Sequence, residues 1–133
     1  LSYGRGCPRP VYVGSSPKVI LAHLPKQRLH NYYERFATQL SEVGFAQDLE
    51  SFMQQMKKIK KQGYYFSQGE LDPRVSGLSV PIRFSSKEAP MALTVLASRS
   101  RFEFINVSKL IETLKENATQ IEKKFSVISE EGN

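Results

Sequence analysis

A chain of 133 residues, 40% hydrophobic, with eight Phe and six Tyr, is long enough for one buried core and too rich in aromatic side chains for wholesale disorder. No apolar run approaches the roughly 18 residues of a membrane span, and the opening LSYGRGCPRP lacks the apolar centre of a signal peptide, so a cytoplasmic location is expected. One cysteine, Cys7, rules out an internal disulfide and a cysteine-based metal cluster, and a net charge of +6 raises the question of nucleic acid.

The order of elements follows from period and punctuation. Residues 1–14 carry glycines, prolines and an alternating VYV, read as irregular backbone leading out of a strand. In SSPKVILAHLP, Ser15 or Ser16 is expected to cap a short buried helix starting at Pro17. Pro25 starts a second helix, whose Leu29, Tyr33, Phe36, Leu40 and Val43 recur at steps of four and three until Gly44. Asp48 caps a third, which buries Leu49, Phe52 or Met53, Met56 and Ile59 or the stem of Lys60, and stops at Gly63.

The period then changes to two. Tyr64 and Phe66 fall on one face of a strand, Tyr65 and Ser67 on the other, and GELDPR breaks it. Val75–Phe84 and Met91–Ser98, joined by the polar SSKEAP, read as an antiparallel pair. A last helix, capped by Asn106 or Ser108, carries Val107, Leu110 or Ile111, Leu114, Ala118, Ile121, Phe125 and Ile128 before a fraying EEGN tail. This order gives an α+β fold, an antiparallel sheet flanked by helices, as a single domain over residues 1–133.

The basic residues are spread in a way that argues against direct nucleic-acid binding. Lys57, Lys58, Lys60 and Lys61 sit where a helix ends and complement its dipole, while Arg5, Arg9, Lys18, Lys26, Arg28 and Arg35 interleave with few aromatics. Catalytic signals are weak. Ser15 and Lys18 have the Ser-x-x-Lys spacing of an activated nucleophile, which makes a serine hydrolase or transferase the alternative function, but the companion Ser-Asp-Asn and Lys-Thr-Gly motifs are absent. Capping and a solvated lysine are the simpler reading. His23 and His30 lack partners at metal-ligand spacing, and Glu70 and Asp72 straddle a turn and are expected to face water. The Asn106 and Asn117 glycosylation patterns fall at or inside a helix and are read as accidental. No enzyme, metal or cofactor emerges. Small residues at Ser15, Ser16, Gly77, Ser79, Thr94 and Ala97 instead leave room either for close packing or for a hollow suited to a small organic acid.

Three blocks in order, VYVGSSPKVILAHLP, MKKIKKQGYYFSQGELDPRVSGLSVPI and MALTVLASRSRF with the helix after it, resemble the effector-binding domain of the IclR family of bacterial transcription regulators. The resemblance implies a GAF-like antiparallel sheet flanked by helices, here lacking its first helix and strands. It also implies a homo-oligomer, dimer or tetramer, that meets DNA only through a winged helix-turn-helix not present in this chain. The implied ligand is a small organic effector, a carboxylate or an aromatic acid, whose contacts fall on Ser15, Ser16, Ser67, Gly77, Thr94 and Leu96. This chain departs from the family pattern at Pro17, which removes an N–H from an anion-binding turn, and at Ser67, Gly77 and Leu96, each of which removes charge, polarity or volume. A larger, less polar ligand than a two- or three-carbon keto acid is therefore expected.

Overall fold

The computed structural model describes residues 11–83 and 90–131, with residues 126–131 described by backbone alone. Helices α1 (Ser15–Ala22), α2 (Lys26–Glu42) and α3 (Leu49–Gln62) precede strands β1 (Tyr65–Gln68), β2 (Val75–Ile82) and β3 (Met91–Ser98), then α4 (Arg99–Phe102) and α5 (Val107–Glu131). The strands form an antiparallel meander, β1-β2-β3. Arrangement and class agree with the α+β expectation. The SSKEAP connection lies almost wholly outside the described residues.

Local chemistry explains the boundaries. Asp48 accepts from the Ser51 backbone N–H at 2.7 Å while the Ser51 hydroxyl accepts from the Asp48 N–H at 3.2 Å, a reciprocal cap that starts α3. Gly63, at φ 76°, supplies the left-handed stop. Asn106 accepts from the Lys109 N–H at 3.1 Å and caps α5. The short α4 has no apolar period to announce it and is held by Ser98, which caps it through the Arg101 N–H.

Two cores lie on opposite faces of the sheet because side chains alternate along each strand. Leu78, Val80 and Ile82 of β2 pack with Phe102, Leu114 and Ala118, placing α4 and α5 on one face. On the other, α1 lies against all three strands, α3 packs on α1, and α2 packs on α3; Val19, Leu40, Phe52, Met56 and Ile59 form that core. Phe52 is fully buried among Tyr32, Tyr33 and Phe45.

Several expectations change. Residues Val11 to Gly14 are turn and bend, not the end of a strand. The carbonyl oxygens of Val11 and Tyr12 accept from the Tyr32 hydroxyl and the Lys18 amine. Helix α1 begins at Ser15 rather than Pro17, with Gly14 as its N-cap and no side chain capping it, because the Ser15 and Ser16 hydroxyls are engaged across the sheet. Val43 falls just past the last turn of α2 and is 48% exposed. Phe125 is exposed too: at ~1.5 Å per residue α5 outruns the sheet, whose strands rise ~3.3 Å per residue over far fewer residues.

Candidate functional site

The sheet register places the predicted residues. Ser67 pairs with Gly77 and Gly77 with Leu96, forming one row across the strands; Tyr65, Ser79 and Thr94 form the next. Rows two residues apart share a face. That face is the one covered by α1, whose first turn brings Ser15 and Ser16 down onto it.

The hydroxyls meet there. Ser79 donates to Ser15 at 2.8 Å and lies 2.6 Å from the Thr94 hydroxyl, which in turn is 2.7 Å from that of Ser16. Ser79 is fully buried and Ser15 nearly so. A hydroxyl both donates and accepts, so the network satisfies itself and can also re-aim toward an incoming acceptor. Ser67 is buried in the neighbouring row. Ser79, in sequence terms only a small residue, is the centre of the network.

The space over Gly77 is occupied. A Cβ built there would stand 2.8 Å from the Ser15 oxygen and 2.9 Å from Leu96 Cδ2. What glycine leaves open is thus filled by Ser15 and by the leucine opposite. The hollow lies one step away: about 420 Å³ lined by Asp72, Arg74, Val75, Leu96, Ala97 and Ser98. Leu96, 47% exposed, both lines this hollow and covers Gly77. Among the six effector contacts that the resemblance implies, it alone lines the hollow.

Beneath the hydroxyl network lies a charge that the sequence did not announce. Lys18, one turn after Ser15, is fully buried rather than solvated. Its amine donates to Glu70 Oε1 at 2.8 Å and to the Tyr12 carbonyl at 3.2 Å, and sits over the rings of Phe45 and Tyr65. Tyr65 donates to the other Glu70 oxygen at 2.8 Å. Burial lowers the Lys18 pKa and the charge and hydrogen bond of Glu70 raise it, with burial the larger. The Tyr65 hydroxyl is pushed up by burial first and by Glu70 second.

Glu70 and Asp72 therefore do not point into water. Glu70 turns inward to Lys18, and Asp72 is 1% exposed, with one carboxylate oxygen accepting from the Arg74 backbone N–H at 2.9 Å. Two things in the sequence bear on this: a lysine inside the apolar VILA helix needs a counter-charge, and an aspartate ahead of proline favours an Asx-type turn that folds its carboxylate back.

Neither histidine joins the site. His23 rests its Nδ1 on the Val19 carbonyl at 2.9 Å, and burial holds its pKa below the usual histidine value, with Arg83 and Lys60 pushing the same way. His30 lines a second groove of about 640 Å³ between α2 and α3. Among the described residues no group of His, Cys, Asp or Glu is arranged to hold a metal, and no helix is long and apolar enough to cross a membrane.

Comparison with known proteins gives this arrangement a family. The model for the C-terminal domain of the bacterial transcriptional regulator IclR matches residues 2–123. The HTH-type transcriptional regulator KipR of Bacillus subtilis is 26% identical over 118 residues, 87% of this chain and 46% of KipR, so the chain spans about half the length of that relative. The C-terminal domain of a protein described as a transcriptional regulator from Vibrio cholerae superposes with a TM-score of 0.69 at 31% identity, covering 88% of this chain and 67% of that one. The inducer-binding domain of the Acinetobacter transcription factor PobR, a double mutant in complex with 3-hydroxybenzoic acid, superposes with a TM-score of 0.67 at 16% identity over 90% of this chain and 74% of that one. The matched proteins are transcriptional regulators rather than enzymes, and the chain belongs to the IclR C-terminal domain family.

Proposed function

We propose that this domain senses a small organic acid for a cytoplasmic, homo-oligomeric DNA-binding regulator, and that effector binding alters the regulator's affinity for its operator. The observation that carries this reading is the convergence of Ser15, Ser16, Ser67, Gly77, Ser79 and Thr94 on one sheet face beside a 420 Å³ hollow. That volume lies within the roughly 300–1,000 Å³ of small-molecule sites. Apolar walls next to a cluster of re-orientable hydroxyls suit an acid with an apolar body. PobR's bound 3-hydroxybenzoic acid gives the reading a precedent in fold.

Sensing requires that the ligand bind two arrangements of the protein unequally. The residue that must move is Leu96, since it separates the hollow from Gly77 and the hydroxyls. DNA contact belongs, in this reading, to a winged helix-turn-helix elsewhere in the polypeptide. The hydrolase alternative is not favoured, because the Lys18 amine is engaged by Glu70 and the Tyr12 carbonyl rather than available to activate Ser15.

Calorimetric titration with glyoxylate, pyruvate, 3-hydroxybenzoate and hexanoate tests the proposal. Binding of an aromatic or longer acid in preference to glyoxylate and pyruvate is expected. Tighter binding of the two small keto acids would contradict the predicted pocket character, and no binding by any acid would overturn the sensor reading.

A further inference from the structure

We propose that Arg74 is the carboxylate-binding residue of this site, and that the hollow beside Leu96 takes the apolar body of a monocarboxylic acid. This rests on the sensor reading above and adds to it a named contact and a ligand class. Of the residues lining the hollow, Val75 and Leu96 supply apolar wall, and Arg74 is the sole cation.

Arg74 is oriented yet unsaturated. Asp72, buried and therefore fixed, accepts from the Arg74 backbone N–H at 2.9 Å but meets the guanidinium only at 3.4 Å, through Nε on one oxygen and Nη2 on the other. Charge-assisted bonds to carboxylates are typically about 2.7–2.9 Å. The guanidinium is thus aimed by a long contact that a closer carboxylate can outcompete. Its side chain is 82% exposed, and its planar fork of donors matches a carboxylate in a way that a lysine does not.

The charge count sets the ligand class. With Asp72 already beside Arg74, a second carboxylate on the ligand would meet a like charge, so a monoacid fits better than a diacid. Withdrawal of Leu96 from Gly77 would join the hollow to the hydroxyl network, where a ring hydroxyl or similar polar group at the far end of the ligand would find Ser15 or Thr94.

The test is calorimetric titration of wild type, R74Q and R74K with 3-hydroxybenzoate and with 3-hydroxybenzamide, its neutral isostere. Wild type is expected to prefer the acid by about tenfold or more. R74Q is expected to lose that preference by weakening the acid and leaving the amide within about twofold, and R74K to keep part of it. The arginine is exposed, so the R74Q melting temperature should match wild type. If an acid binds and R74Q holds acid and amide as wild type does, the Arg74 assignment fails while the sensor reading stands. If wild type takes up none of glyoxylate, pyruvate, hexanoate and 3-hydroxybenzoate, both fail.

Discussion

Replacing Glu70 by alanine is expected to destabilise the domain by about 3–5 kcal/mol at neutral pH, the range for removing one partner of a buried ion pair. Lys18 keeps its stem inside the protein and loses its counter-ion, leaving the Tyr12 carbonyl and two aromatic faces for a fully buried ammonium. K18M should cost less, because it keeps the stem's volume and discards the charge, while Glu70, with a quarter of its side chain exposed, can be hydrated. The double variant K18M/E70A should recover most of the E70A loss. Denaturant melts of the single and double variants measure this coupling directly.

The pH dependence carries a sign. Lys18 in the folded protein has a pKa below its ordinary 10.5, and removing Glu70 removes both effects that raise it. Between that depressed value and 10.5 the unfolded chain binds the proton that the folded chain does not, so stability rises with pH across the window. The E70A deficit should therefore shrink as pH rises from the further-lowered Lys18 pKa of the variant toward the Lys18 pKa of wild type. Above about pH 10 the opposite slope enters, because the half-buried Tyr32 and Tyr65 hydroxyls have raised pKa values and ionise first in the unfolded chain. A deficit independent of pH would mean that Lys18 is not the group stranded by the substitution.

Gly77→Val is the second large effect. The φ of Gly77 is not positive, so the backbone accepts a β-branched residue and any penalty is steric. The new side chain would overlap the Ser15 oxygen and the end of Leu96. Overpacking of this kind costs about 1–3 kcal/mol. Leu96 can swing outward, being half-exposed, but Ser15 is buried and held by Ser79. Adding L96A should therefore restore part of the stability. It should not restore ligand binding, because the valine would still fill the passage between the hollow and the hydroxyls. Acid affinity in G77V and in G77V/L96A is expected to fall by about tenfold or more. Full affinity in the double variant would show that the ligand never passes Gly77.

How far the sequence carries can be judged residue by residue. Asp48, Gly63 and Asn106 fix helix ends through local chemistry, and local chemistry is what a sequence displays. The alternation through Tyr64, Tyr65, Phe66 and Ser67 sorts the two faces of β1, because period two is a property of the strand alone. The meeting of Ser15, Gly77 and Thr94 has no such local sign: it arises only once the strands pair and α1 lies over them, and the sequence points to it through family resemblance alone.

What escapes is what depends on distant partners. Lys18 looks like a solvated helix residue until the turn 52 positions later folds Glu70 back onto it. The gap over Gly77 looks open until Leu96, on another strand, is known to lean across it. Val43 and Phe125 keep their period and lose their burial, Val43 because α2 ends just before it and Phe125 because α5 outruns the sheet. Propensity reports each element; the extent of its neighbours is a tertiary fact.

The most direct measurement is a titration of the isotope-labelled domain with 3-hydroxybenzoate, followed by amide chemical shifts. The largest changes are expected at Ser16, Ser67, Gly77, Thr94 and Leu96, with the turn around Arg74 moving alongside them. Shifts confined to the groove between α2 and α3, around His30 and Met53, would contradict the assignment of the site to the α1 face of the sheet.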